Sequence, residues 1–395
     1  MSKRTRRDVF TIAAVVLAAF VISANLRGSD DASNQANAAM TRSDNAFFFN
    51  GRWEVSPEAA VFEGGDSTID AIAATDPHVL KYQDTLYLYY TCAGTTEDQP
   101  NQPRTRICLA TSSNGINWLR HPENPILEPS EEGAWDSLGL ETPFVLEDDS
   151  GFKLYYMGYD VKDGDRWLEG EGTTLGSIGL ALSGDGVHFG RSGPDPVLTP
   201  STGRGPRRIG IWDSWALEGP WVIKIDGAYS MYFGGLGSLD GNEEVNAIGL
   251  ATSSDGLEWN KYRNNPVFSG RKGDWDQYHT IDPCVLFEDG RYYLWYHGGD
   301  VQTDDFFGNF QIGLAISQDG KRWRRSSRNP VLTHGAPSSW NNFGVMAPSV
   351  LNNRDGTAQL FFHGMDRYPN PTRWSIGRAV PAANEPRRPG DRKTP

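Results

Sequence analysis

"IDPCVLFEDGRYYLWYHGGD" (Ile281–Asp300) holds an acid before a proline, an apolar run, an acidic-glycine turn and an aromatic run. "QIGLAISQDGKRW" (Gln311–Trp323) and "RNPVL" (Arg328–Leu332) follow it. The succession recurs. It is present as "TDPHVLKYQDTLYLYYTCAG" (Thr75–Gly94), "ETPFVLEDDSGFKLYYMGYD" (Glu141–Asp160), "EGPWVIKIDGAYSMYFGG" (Glu218–Gly235) and "MAPSVLNNRDGTAQLFFHGMD" (Met346–Asp366). Short apolar and aromatic runs joined by Asp-Gly turns read as hairpins. Each unit therefore supplies three clear strands, and a fourth starts at the tryptophan that follows (Trp118, Trp259, Trp323).

Taking the acid beside the proline as the marker, the equivalent positions are Asp76, Glu141, Glu218, Asp282 and Ala347, spaced by 65, 77, 64 and 65 residues. The fifth unit lacks its fourth strand. "RWEVSPEAAVF" (Arg52–Phe62) resembles "LEWNKYRNNPVF" (Leu257–Phe268), and Trp53 lies 23 residues before Asp76, as Trp118 does before Glu141 and Trp259 before Asp282. The N-terminal strand is thus expected to complete the last sheet. Five four-stranded sheets closed in this way leave only short, protected edges. The fold expected is all-β, a five-bladed β-propeller over residues 51–380.

In a propeller the first strand of each blade lines the central channel. Four blades then bring a carboxyl to one end of the axis. The second strands return to that end with His297 and Asp300, and with His363 and Asp366; Thr91, Met157 and Phe233 are the equivalents elsewhere. Histidine occurs in two blades only, so the repeat does not require it for folding. An acid at a strand start can also serve structurally, by accepting backbone N–H bonds. Several carboxyls around one axis, however, are desolvated and repel, which spreads their pKa values. Glycoside cleavage needs that inventory, one carboxyl protonated and another ionised.

The rest of the chain narrows the classes. Net charge is −13, and no basic stripe of the kind nucleic acid demands occurs outside the termini. Nucleic acid is excluded as a partner, and a neutral substrate fits. "MSKRTRRD" followed by the apolar run Val9–Ala24 reads as a signal peptide or short membrane anchor over residues 1–24. Residues 25–50 read as a polar linker and 381–395 as a disordered tail. The folded part is expected outside the cytoplasm, touching membrane only through the N-terminal segment, as a monomer. Cys92 and Cys108 fall on neighbouring strands, where a disulfide is geometrically open; Cys284 is left as a small core residue.

These motifs resemble the five-bladed glycosidase propellers, glycoside hydrolase family 43 and its relatives, families 32, 62, 68 and 130. The likeness spans roughly Trp53 to Val380. "ATDPHVLKYQDTLYLYYT" resembles the family 43 first-blade strand, which implies Asp76 as general base. "LEGPWVIKIDGAYSMYF" resembles the third-blade motif, which implies Glu218 as general acid. The second-blade acid of that family, usually an aspartate that raises the pKa of the acid, corresponds to Glu141, one methylene longer. The "WMNDPNG" and "RDP" motifs of the fructosidases are absent. "YHGGD" and "FHGMD", from Tyr296 and Phe362, resemble family 130, where such a stretch contacts substrate or phosphate.

The implied reaction is inversion: Glu218 protonates the leaving oxygen, Asp76 activates water, and the charge of Glu141 keeps Glu218 protonated. Trp215, outside the repeated Trp-Asp/Asn setting of Trp135, Trp212, Trp275 and Trp340, is the aromatic expected on the sugar; His297, His363, Asp282, Asp300 and Asp366 complete the substrate contacts. Those other four tryptophans are expected to pack between strands. No cofactor is required. Some relatives hold calcium in the axial channel, and Asp282 could help bind one. The alternatives are a family 130-like phosphorylase or transferase using His297, His363 and Arg367, and a glycan-binding propeller without catalysis.

Overall fold

The computed structural model describes residues 52–55, 60–65, 69–95, 103–160, 176–202, 210–238, 244–300, 310–353, 357–366 and 374–382. The expected export segment and linker lie outside the described residues, as do residues 383–395. All regular elements among the described residues are strands, gathered into five sheets. Their first strands, Ala73–Tyr82, Gly139–Asp148, Ile211–Ile225, His279–Glu288 and Gly344–Asn352, each pack against the first strands on either side, which closes a ring of five blades.

The fifth sheet runs Gly344–Asn352, Ala358–Met365, Trp374–Pro381, then Trp53–Val55, with Trp53 opposite Pro381. The strand thus extends one residue into the segment read as tail. A ring of aromatic contacts shows why this N-terminal strand belongs there. Each fourth-strand aromatic meets, edge-on, an aromatic in the second strand of the preceding blade: Trp118–Phe361, Phe189–Tyr89, Trp259–Tyr155 and Trp323–Tyr232. Trp53–Trp295 is the fifth such pair, with ring centroids 6.5 Å apart. Trp53 is 6% exposed, and its amide donates to the Val331 carbonyl. Truncating a buried aromatic of this kind costs about 3–5 kcal/mol. Trp53→Ala is expected to lower the unfolding free energy by about 3 kcal/mol in guanidinium titration; a loss under 1 kcal/mol would mean the fifth contact does not hold the ring.

The "S-x-D/N-G" turns add a second set of staples. Ser253 Oγ accepts the amides of Asp255 and Gly256, and Asp255 Oδ1 those of Leu257 and Glu258. The turn carbonyls of Gly186, Gly256 and Gly320 then accept from Tyr89, Tyr155 and Tyr232 of the preceding blades. The repeated Trp-Asp/Asn setting is packing, as expected: Trp135, Trp212, Trp275 and Trp340 stack on Tyr156, Phe233, Tyr296 and Phe362. The buried aspartates beside three of them pair with the outer strand, Asp136 with Arg191, Asp213 with Lys261 and Asp276 with Arg325, and Asp70 pairs with Arg120 likewise. Cys92 and Cys108 are disulfide-bonded, with Cα atoms 5.8 Å apart, and Cys284 is buried as a thiol.

Every first strand carries a β-bulge at its X-Pro pair. In blade 4, Ile281 pairs His297 and Cys284 pairs Trp295, so Asp282 and Pro283 stand opposite Tyr296 alone. Proline lacks the N–H that a ladder needs and is accommodated by the bulge. The residue before it has positive φ in all five blades: Asp76, Thr142, Gly219, Asp282 and Ala347, between 47° and 54°. This corrects the equivalence drawn from the acids. Asp76 and Asp282 sit in the bulge, aligned with Thr142, Gly219 and Ala347. Glu141 and Glu218 sit one residue earlier, aligned with Thr75, Ile281 and Met346. The blade-3 partner of Glu218 is Gly234, not Phe233, which faces the bulge.

Just past the prolines, side chains close the axis. His78, Phe144 and Trp221, from blades 1, 2 and 3, touch one another with centroids 4.4–5.2 Å apart. Contact between the non-adjacent blades 1 and 3 places these rings on the axis itself. His78 Nε2 bonds the Val145 carbonyl, Trp221 Nε1 donates to Val285, and Ser349 Oγ accepts from Val79. The carboxyls thus stand above a packed floor.

Candidate active site

Above that floor opens a cavity, part of it open to solvent, lined by Asp76, Glu141, Glu218, Asp282, His297 and His363 among others. The bulges bring the acids here: the extra residue turns Asp76 and Asp282 inward alongside the glutamates one position earlier. Strained positive φ at non-glycine residues costs of order 1 kcal/mol each and is held in place only by surrounding structure. Thr142 shows that support, since its amide donates to Thr91 Oγ1 and its own Oγ1 accepts from the Gly219 amide.

Asp76 is 8% exposed. Nδ1 of His363 lies 3.1 Å from both its amide nitrogen and its Oδ1. Bare, that nitrogen accepts the amide; protonated, it pairs with the carboxylate. Burial pushes the Asp76 carboxyl up, but the hydrogen bonds and charge of His363, with the hydroxyls of Thr91 and Thr75, outweigh it and hold it below the usual range. Asp76 is therefore ionised at neutral pH.

Glu141 is 1% exposed. Its Oε1 accepts from Tyr159 Oη at 3.0 Å, and that hydroxyl lies 2.9 Å from Thr105 Oγ1. A Cβ at position 139 would overlap both hydroxyls, so Gly139 is needed for this pair to sit over the strand. Burial first, then the charge of Asp76, raise Glu141 to about 8. Its Oε2 is buried and has no protein partner. The charge of Asp76 thus couples to Glu141, and Glu141 is itself a neutral carboxyl at pH 7. Glu218, 4% exposed, lines the same cavity from blade 3.

Asp282 Oδ2 meets His297 Nδ1 at 2.9 Å. Among the described residues no group of three or more His, Cys, Asp or Glu side chains is arranged to hold a metal ion, and Asp282 is engaged by His297. Three residues expected on the substrate are not among those lining the cavity. Asp300 lies exposed just past its strand, and Asp366 is half-buried at the end of its own. Trp215 packs against the cluster of Met157, Tyr159, Ala216, Leu236 and Ile281. Its strand breaks register between Ile211 and Ala216, so alternation does not fix its direction, and it backs Leu236 and Ile281 of the cavity wall. Arg367 lies outside the described residues. Thr91, named from the sequence as the blade-1 equivalent of His297 and His363, lines the cavity; Thr105, Asn246, His279 and Trp374 line it too and were not singled out from the sequence. His279 was within reach of such reading, because it stands two residues before Ile281 on the same strand face.

No protein-family model matches the chain. It is 29% identical over 255 residues to a 1,2-beta-oligomannan phosphorylase of Thermoanaerobacter sp., covering 64% of this chain and 73% of that one. It is 27% identical over 242 residues to an uncharacterized protein of Mycobacterium tuberculosis, covering 61% and 72%. Among solved structures, one reported for the GH130 family of mannoside phosphorylases and its glycoside hydrolases targeting β-1,2 mannosidic linkages in Candida mannan aligns over 87% of this chain and 98% of that one, at 18% identity and a TM-score of 0.62. The fold is that of the five-bladed glycoside hydrolase and phosphorylase propellers.

Proposed function

We propose that this protein cleaves glycosidic bonds of β-mannosides, with β-1,2-linked manno-oligosaccharides as the first substrates to try, by a single displacement with inversion. The observation that carries the reading is the pairing of one ionised carboxyl with one neutral carboxyl in the same buried pocket, Asp76 and Glu141. An inverting glycosidase needs a carboxylate to activate water and a carboxylic acid to protonate the leaving oxygen. Asp76 is the base. The sequence motif makes Glu218 the proton donor. The neutral state of Glu141, with Oε2 free of protein partners in the cavity, favours a second assignment in which Glu141 donates. Leaving-group dependence separates them. The Gln variant of the donor keeps activity on a dinitrophenyl mannoside, which departs without a proton, and loses it on mannobiose; the other variant loses both.

Phosphorolysis is the second reaction considered, favoured by the 29% identity to an oligomannan phosphorylase. The full-length chain is incubated with β-1,2-mannobiose with and without inorganic phosphate, and products are read by proton NMR. Free mannose, released first as the α anomer without phosphate, is expected. Product only with phosphate, as a sugar phosphate, would replace hydrolysis by phosphorolysis. Failure to turn over any β-mannoside would leave a glycan-binding propeller. We place the domain outside the cytoplasm, reading Val9–Ala24 as its export or anchor segment; the Cys92–Cys108 disulfide supports this, because such bonds persist in oxidising compartments.

A further inference from the structure

The cavity wall between blades 3 and 4 carries polar groups that acid–base chemistry does not use. Asn246, in the third strand of blade 3 (Glu244–Ser253), and His279, in the first strand of blade 4, lie 3.0 Å apart, Nδ2 to Nδ1. Each is 4% exposed, and each lines the cavity. Burial, then the charge of His297, lower His279 to about 3, so its ring is neutral. With Nδ1 accepting from the Asn246 amide, the ring proton resides on Nε2. The nitrogen is turned to His279, and Oδ1 is left as a buried acceptor with no protein partner.

The same place in the first blade shows what is missing. Thr105 pairs with Ala93 as Asn246 pairs with Leu236, and Thr105 likewise reaches into the next blade. There the cross-blade contact continues through Tyr159 to Glu141. At Asn246 the contact passes through Nδ2 to His279, and the amide oxygen is left buried without a protein partner on a residue that lines the cavity. Buried polar atoms are almost always paired, and a lone one in a pocket marks where a ligand supplies the partner.

We propose that Asn246, held in orientation by His279, accepts a hydrogen bond from one hydroxyl of the bound sugar and so selects how the sugar sits in the pocket. The inference rests on the glycoside reading above. An acceptor on the wall calls for a donor on the ligand. A sugar hydroxyl is one; a phosphate dianion, which only accepts, is not. Leu236 and Ile281 line the same wall and offer apolar surface to the C–H face of a ring.

The test is equilibrium binding of β-1,2-mannobiose and its monodeoxy analogues, by calorimetry, in the full-length chain carrying Asp76→Asn so that nothing is consumed. Adding Asn246→Ala is expected to weaken mannobiose by roughly 10- to 100-fold. One deoxy analogue should lose that factor before the substitution and nothing more after it, the signature of a direct pair. Equal losses for the parent and for every analogue, or an unchanged parent affinity, would overturn the proposal, as would no binding of mannobiose. Should Asn246→Ala not fold, His279→Ala and His279→Asn replace it. The first frees the amide and weakens binding; the second restores an acceptor at the Nδ1 position and with it the affinity, and failure of that rescue would count against the pair. Hydroxyl-specific binding without turnover of any glycoside would keep the subsite and discard the catalytic reading.

Discussion

Asp76→Asn is expected to lower kcat on mannobiose by about 10³-fold with little change in KM. A general base contributes 10²–10⁴-fold when it takes a proton in the transition state. Asparagine has the same shape and no charge to take it with. The backbone should tolerate the exchange, because Asp76 sits at φ 48° and asparagine enters the left-handed region readily. Thr75 Oγ1 can still donate to the side-chain oxygen, and the Asp76 amide still meets His363. The folded variant should therefore retain the wild-type circular dichroism spectrum, with a modestly lower melting temperature at pH 7. The reason is linkage. A carboxyl held below its usual range stabilises the fold above its unfolded pKa and loses that contribution as pH falls through its folded value. A variant with more than a tenth of wild-type kcat would remove Asp76 from the reaction.

Glu141→Gln carries the opposite sign and nearly as large an effect. The folded carboxyl titrates at about 8 against an ordinary 4.5. Between those values the folded state holds a proton that the unfolded chain has released, so stability falls as pH rises through the window. The loss amounts to about 4 kcal/mol at pH 8. Glutamine keeps an acceptor for Tyr159 Oη and never ionises. The variant should match wild type at pH 4 and melt roughly 5–10 °C higher at pH 8, by calorimetry at both pH values. It should lose activity at the same time, a common exchange at functional sites. An equal difference in melting temperature at pH 4 and pH 8 would show that Glu141 does not titrate as the burial implies.

The propeller was legible because its signals are local and recur. The Asp-Gly turns and the tryptophans that open the fourth strands each report a physical need of one blade, and the 23-residue spacing placed Trp53 in the last. The acids were less legible because proximity to proline does not set register. A bulge puts two residues opposite one, so the acid before proline and the acid one earlier both reach the cavity from different rungs. The proline is the better ruler. The same irregularity hid the direction of Trp215, whose strand also breaks register between Ile211 and Ala216. The pairing of Asn246 with His279 was hidden for another reason. They meet only across a blade boundary, and no spacing along one strand announces a neighbour on the next.

Among the described residues, the floor of His78, Phe144 and Trp221 leaves no through-passage along the axis beneath the carboxyls. On the glycosidase reading proposed above, substrate, water and product then trade places on the same side of that floor.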